Sequence, residues 1–105
     1  MRCMVRFLVL YGMPVDPAEF ERHYREVHIP LAKQLPGLRR YSISRGPLSG
    51  VRGGEPFHLI AELDWDDMDA LRAAFASPIG QATGADVPLL ATGGVQSMIY
   101  ELEDL

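Results

Sequence analysis

Histidines at positions 23, 28 and 58 and one cysteine, Cys3, are the side chains of this 105-residue chain that can do proton or thiol chemistry near neutral pH. His23 and His28 stand in the run HYREVHIPLAKQLPGLRRY, which ends at Tyr41. Residues five apart on an α-helix are about 140° apart around its axis. The pair is therefore expected to point two ways, whereas the histidines of a zinc helix are spaced i, i+4. The chain contains no Cys-x-x-Cys and no His-x-x-x-His, so no metal site is expected. His23 reads as a half-exposed surface histidine. For His28 two readings stay open. It is a helix-end group that meets the last carbonyls, or a proton-transfer group at the rim of a pocket. In the second reading Tyr41 supplies a hydroxyl for a substrate carbonyl or enolate oxygen.

The elements that would position these groups follow from local pattern. CMVRFLVLY, bounded by Gly-Met-Pro, reads as a strand from about Cys3 to Tyr11. A helix follows, with Asp16 as N-cap, Pro17 in the first turn and Glu19 three residues past the cap. Its apolar stripe is Phe20, Tyr24, Val27 and Leu31, and Pro30 kinks or divides it. Pro36-Gly37 ends it, and a second strand starts near Leu38. A Gly-rich hairpin loop leads to a third strand, PFHLIAELDW. Asp66 or Asp67 caps a second helix with the stripe Met68, Leu71 and Phe75. A looser segment holds a short helix around Ile79 to Ala85, and VQSMIYELE is the fourth strand. The order β-α-β-β-α-β is the ferredoxin-like arrangement of the α+β class. It predicts one domain over residues 1–105, a four-stranded antiparallel sheet and helices on one face.

Strand alternation divides the sheet. Phe7, Val9, Tyr41, Ile43, Leu59 and Leu63 fall on the helix-facing side. Arg6, Arg40, His58 and Glu62 fall on the other, which no helix is left to cover. That face is expected to meet its copy in a homodimer, with Arg and Glu pairing across the two-fold axis.

Apolar content of 48%, charged content of 23% and a net charge of −4 suit a soluble domain. They argue against a nucleic-acid partner, which needs a basic stripe. No signal peptide is visible and the first apolar run is too short to span a bilayer, so no membrane partner is expected. A single cysteine excludes an internal disulfide framework and makes the cytoplasm the default location.

FERHYREVHIPLAKQLPGLRRYSISR resembles the signature of the EthD-like proteins, a branch of the dimeric α/β-barrel superfamily. The matching residues are Phe20, Tyr24, His28, Pro30, Leu31, Leu35, Pro36, Gly37, Leu38 and Tyr41. IAELDW resembles the family's third strand, and Ser77, Pro78, Gly80, Gln81 and Asp86 its Ser-Pro-x-Gly-Gln…Asp segment. The resemblance covers almost the whole chain. It implies sheets packed face to face in a homodimer and a small-molecule pocket between sheet and helices, with His28 and Tyr41 as its polar residues. Family members are linked to ethyl tert-butyl ether degradation. Others are methylmuconolactone isomerases or fungal polyketide-tailoring dehydratases and decarboxylases, and the wider superfamily includes cofactor-free monooxygenases. The isomerase branch carries a cysteine where this chain has Leu63, so the thiol of that chemistry is missing here.

The expected activity is cofactor-free, metal-free acid–base chemistry on an aromatic, lactone or polyketide-like carbonyl compound. His28 and Tyr41 are the catalytic pair. Tyr24, Phe7, Leu31, Leu63, Phe75 and Asp86 are the substrate-binding set. Asp86 either orients a histidine or caps a short helix, and the Tyr24 hydroxyl either reaches the pocket or bonds backbone. His58 is expected at the dimer interface. The alternatives are a non-catalytic carrier for a hydrophobic metabolite and a structural dimer module whose pocket is filled.

Overall fold

The computed structural model describes residues 3–54 and 56–105. Four strands, β1 (Val5–Gly12), β2 (Arg40–Ile43), β3 (Phe57–Trp65) and β4 (Val95–Glu101), form one antiparallel sheet in the order β2-β3-β1-β4. The two central strands are the β-branched and aromatic runs of the sequence, and they bury alternate residues. Val5, Val9 and Tyr11 of β1 and Leu59, Ala61, Leu63 and Trp65 of β3 are all buried. Directly paired residues such as Phe7 and Leu63 share the helix-covered face.

Helix α1 (Pro17–His23) starts as its sequence predicts: the Asp16 carboxylate accepts from the Glu19 N–H at 3.2 Å and Pro17 opens the first turn. A π turn (Tyr24–His28) and α2 (Ile29–Ala32) continue it. Asp67 is the cap of α3 (Met68–Ala76), accepting from the Ala70 N–H at 2.9 Å. Ser77 ends α3 and caps α4 (Pro78–Leu90) by accepting from the Gly80 N–H. Helix α4 has 13 residues, far longer than the short helix expected from its sequence. Gly80, Thr83, Gly84 and Pro88 make it a poor helix former in isolation. Packing sustains it, because Leu90 is buried and Val87 and Ile79 lie against the core. At Gly80 a side chain would run into the carbonyl oxygens of Ala74 and Phe75, so only glycine allows α4 to fold back so closely on α3.

One expectation about the helix-free face is corrected. A bulge near Tyr11 and Gly12 leaves His58 without a cross-strand partner and breaks the strict alternation. His58 therefore turns to the helix side, where its ring meets the edge of Phe20 at 5.1 Å. Arg6 does stand on the helix-free face, but its charge is matched within its own chain. It donates to both Asp64 oxygens at 2.8 and 3.0 Å, and Glu62 lies 3.2 Å away. The cause is register: Arg6 sits directly opposite Asp64 in the β1–β3 ladder. Among the described residues no helix is long and apolar enough to cross a membrane.

Candidate active site

The π turn decides the site. The Ile29 N–H bonds to the Tyr24 carbonyl, five residues back rather than four. Pro30 supplies the reason. In a regular helix its ring would crowd the Glu26 carbonyl, to which it has no N–H to offer. Widening the turn just before Pro30 relieves that contact. A wider turn also takes more residues, so residues five apart come back to the same side of the helix. His23 and His28 accordingly converge. His23 Nε2 lies 2.8 Å from Asp86 Oδ1, and His28 Nδ1 lies 2.8 Å from Asp86 Oδ2. This overturns the expectation that the pair points apart and that His23 is a surface bystander. Asp86 lies well inside α4 and is not its cap, so its role is to hold the two rings.

Electrostatics follow from this geometry. Burial alone would raise the Asp86 carboxyl, but the hydrogen bonds from His23 and His28 overcome it and hold the group below the usual carboxylate range. The His28 imidazole is pushed below its ordinary value, chiefly by burial, while Asp86 pulls it the other way. The carboxylate thus accepts from the His28 Nδ1–H of a neutral ring, and Nε2 keeps its lone pair. Nε2 bonds to no described residue, and among the described residues no buried side-chain nitrogen or oxygen lacks a partner. Nε2 is therefore the atom that the ring presents to the adjoining cavity. No group of three or more His, Cys, Asp or Glu among the described residues is arranged to hold a metal ion.

That cavity has a volume of about 310 Å³ and lies between sheet and helices. Phe7, Tyr24, His28, Tyr41, Leu63 and Phe75 line it, as six of the eight sequence candidates. Asp86 stands behind His28 rather than at the wall, and Leu31, half-buried, is not among the lining residues. The space is open, which counts against a module with a filled pocket. The Tyr24 and Tyr41 hydroxyls meet at 2.6 Å, so Tyr24 bonds a side chain in the pocket and not backbone. Burial raises both phenols, keeping them protonated at neutral pH. The Tyr24 ring also lies 5.2 Å from His28. Two site residues escaped the sequence reading. His23 was hidden by the π turn. Tyr11, which lines the cavity, was visible through its alternation with Phe7 and Val9.

The family model for the EthD domain matches residues 13–93. This chain belongs to that family. An uncharacterized 11.0 kDa protein from the thcB-thcC intergenic region of Rhodococcus erythropolis is 36% identical over 101 residues, 95% of this chain and 96% of that protein. The crystal structure of an EthD family protein from Bacillus halodurans is similar with a TM-score of 0.85 and 34% identity, over 95% of this chain and 99% of that one. The cofactor-independent oxygenase SnoaB of Streptomyces nogalater (TM-score 0.69, 21% identity, 98% and 96% covered) shares the fold. So does a dimeric ferredoxin-like protein from Thermobifida fusca (0.71, 17%, 97% and 93%). The ferredoxin-like α+β fold expected from the element order is thus the one observed. The EthD pattern runs from Met13, just after β1, to Gly93, just before β4, and so spans both walls that carry His28, Tyr41 and Asp86.

Proposed function

We propose that this EthD chain, acting as a single domain, is a small-molecule enzyme. It would perform metal-free acid–base chemistry on an aromatic, lactone or polyketide-like carbonyl compound. The supporting observation is the Asp86–His28 bond beside the Tyr24–Tyr41 pair at the wall of an open, largely apolar cavity. Its volume of about 310 Å³ lies at the small end of ligand sites. In this reading His28 Nε2 takes a proton from carbon next to the carbonyl. The electron pair left behind moves onto the carbonyl oxygen, where the Tyr41 O–H stabilises it. Tyr24 donating to Tyr41 is the arrangement that leaves the Tyr41 proton for the substrate. Return of the proton to another carbon completes an isomerisation, and loss of a neighbouring hydroxyl as water completes a dehydration. Reaction of the carbanion with dioxygen would be the route of a cofactor-independent oxygenase, the activity named for SnoaB.

Proton–deuterium exchange tests the step common to all three. Candidate carbonyl compounds are incubated in deuterated water and their α-protons followed by NMR. Wild type should accelerate exchange, and His28→Ala should lose the acceleration while still binding the compound. Equal exchange by both proteins would refute the role of His28. Binding without exchange by wild type would leave a carrier as the function.

We also propose a cytoplasmic homodimer that pairs through the helix-free sheet face carrying Arg6, Arg40 and Glu62. Tyr100 and Met98 stand opposite Arg6 and Leu8 on that face, and both are exposed. With Arg6 already matched, apolar contact rather than cross-subunit ion pairing would hold the copies together. Light scattering coupled to gel filtration should give twice the monomer mass; a monomer at micromolar concentration refutes this.

A further inference from the structure

Tyr11 takes no part in the proton-transfer scheme, yet its position asks for a function. The residue is 1% exposed, near the end of β1. Its ring is clamped edge-on between Phe20 at 5.3 Å and Tyr24 at 5.8 Å. Its hydroxyl bonds to no described residue, although among the described residues no buried side-chain oxygen is left without a partner. Both facts hold together only if the oxygen is the part of Tyr11 that stays accessible, and the residue lines the cavity. For packing alone phenylalanine would serve better, because a hydroxyl without a partner at an apolar wall is costly.

Of the other polar groups of this wall, the Ser97 hydroxyl stands on exposed β4, and two buried or half-buried hydroxyls are committed. The Thr83 hydroxyl donates to the Ile79 carbonyl at 2.7 Å, and the Tyr24 hydroxyl is spent on Tyr41. We propose that Tyr11 is a second hydrogen-bond donor to the bound molecule, which therefore carries two acceptor oxygens, one for Tyr41 and one for Tyr11. The inference rests on reading the cavity as a substrate site, and it narrows the substrate class to dioxygenated compounds such as diketones or hydroxyaryl ketones. Burial, and then the nearby Tyr41 and Asp86, raise the Tyr11 phenol, so it stays a donor across the working pH range. A donor fixed between two rings costs little ordering when the ligand arrives.

Binding, not turnover, tests this. Calorimetry compares 1-phenylbutane-1,3-dione with butyrophenone, the same skeleton with one oxygen fewer, on wild type and on Tyr11→Phe. Wild type should prefer the diketone about tenfold, the value of one hydrogen bond. In Tyr11→Phe the diketone should weaken about tenfold and butyrophenone should not change. A preference that survives in Tyr11→Phe overturns the inference, as does an equal loss for both compounds. An unfolded Tyr11→Phe would also overturn it, since removing a hydroxyl without a protein partner should leave thermal stability intact. If wild type binds neither compound, this inference and the substrate-site reading fall together. If both bind and Tyr11→Phe changes nothing, only this inference falls.

Discussion

Asp86→Asn isolates the interaction on which the site depends. The substitution keeps the side chain's shape and removes its charge. Asp86 accepts from two buried or half-buried rings, and a hydrogen bond to a charged group contributes about 1.5–3 kcal/mol. Asparagine has one acceptor oxygen and one donor nitrogen, so at most one ring keeps its N–H bond, now neutral and worth about 1 kcal/mol. The net loss is about 2–5 kcal/mol. For a chain of this size the unfolding midpoint should fall by about 10 °C or more. The sign of the pH dependence also follows. The Asp86 carboxyl is held low in the fold, so its contribution is fully present above its ordinary value of 3.8 and is lost as pH falls through its depressed value. His28 is also held low, so its neutral form adds stability above its ordinary 6.5 that is lost as pH falls toward its folded value. Asparagine removes the group that pulls His28 up, so acid costs the variant at least as much as wild type. The gap between the two should therefore hold or widen from pH 7.5 to 5 and close only below about pH 4. Circular-dichroism melts across that range give the gap, and long-range ¹H–¹⁵N spectra give the His28 tautomer. A variant that melts within 2 °C of wild type at pH 7.5, with Nδ1 still protonated, would show that the carboxylate does not organise the pair.

His23→Ala removes one of the two bonds to Asp86 and should cost about 1–2 kcal/mol. Because His23 lowers His28, the same variant should titrate His28 upward by NMR; an unchanged or lower value contradicts the shared carboxylate. Tyr24→Phe breaks the 2.6 Å phenol pair and should destabilise by about 1 kcal/mol in urea unfolding, and no change would mean that the pair carries no net stability. Gly80→Ala forces a methyl group into the Ala74 and Phe75 carbonyls and should cost about 1–3 kcal/mol; a neutral result would mean that α4 can move off α3 freely.

Much of this architecture is legible in the residues because local rules hold where tertiary forces agree with them. Asp16 and Asp67 sit where caps belong, and the alternation of Val5, Phe7, Val9 and Tyr11 identifies the helix-covered face of β1. Those patterns leave His28 open between a helix-end group and a pocket rim; the pocket with His28 and Tyr41 as its polar residues is what the resemblance to the EthD-like proteins implies. Three features depart from the local patterns. A 3.6-residue turn sets His23 and His28 apart, and Pro30 imposes a wider one. Strict alternation puts His58 on the helix-free face, and the bulge opposite Gly12 shifts it. The glycines and Pro88 of α4 predict a shorter helix, because their weak propensity says nothing of the core that Leu90 joins. For His58 and α4 the deciding contact lies far away in the sequence, beyond the reach of a local window, whereas Pro30 acts locally, on the turn just before it.

Trp65 has a use of its own. It is the chain's one tryptophan and is fully buried, with its indole N–H donating to the Pro36 carbonyl at 2.9 Å. It also meets Phe75 edge-on at 5.9 Å, and Phe75 is part of the cavity wall. The protein therefore carries a single indole, which can be excited apart from its four tyrosines, one ring removed from the space a ligand would occupy. A native sample should emit at short wavelength, and filling the cavity should alter that emission without any label. An unlabelled compound collection can then be screened by emission alone, before any reaction has been identified.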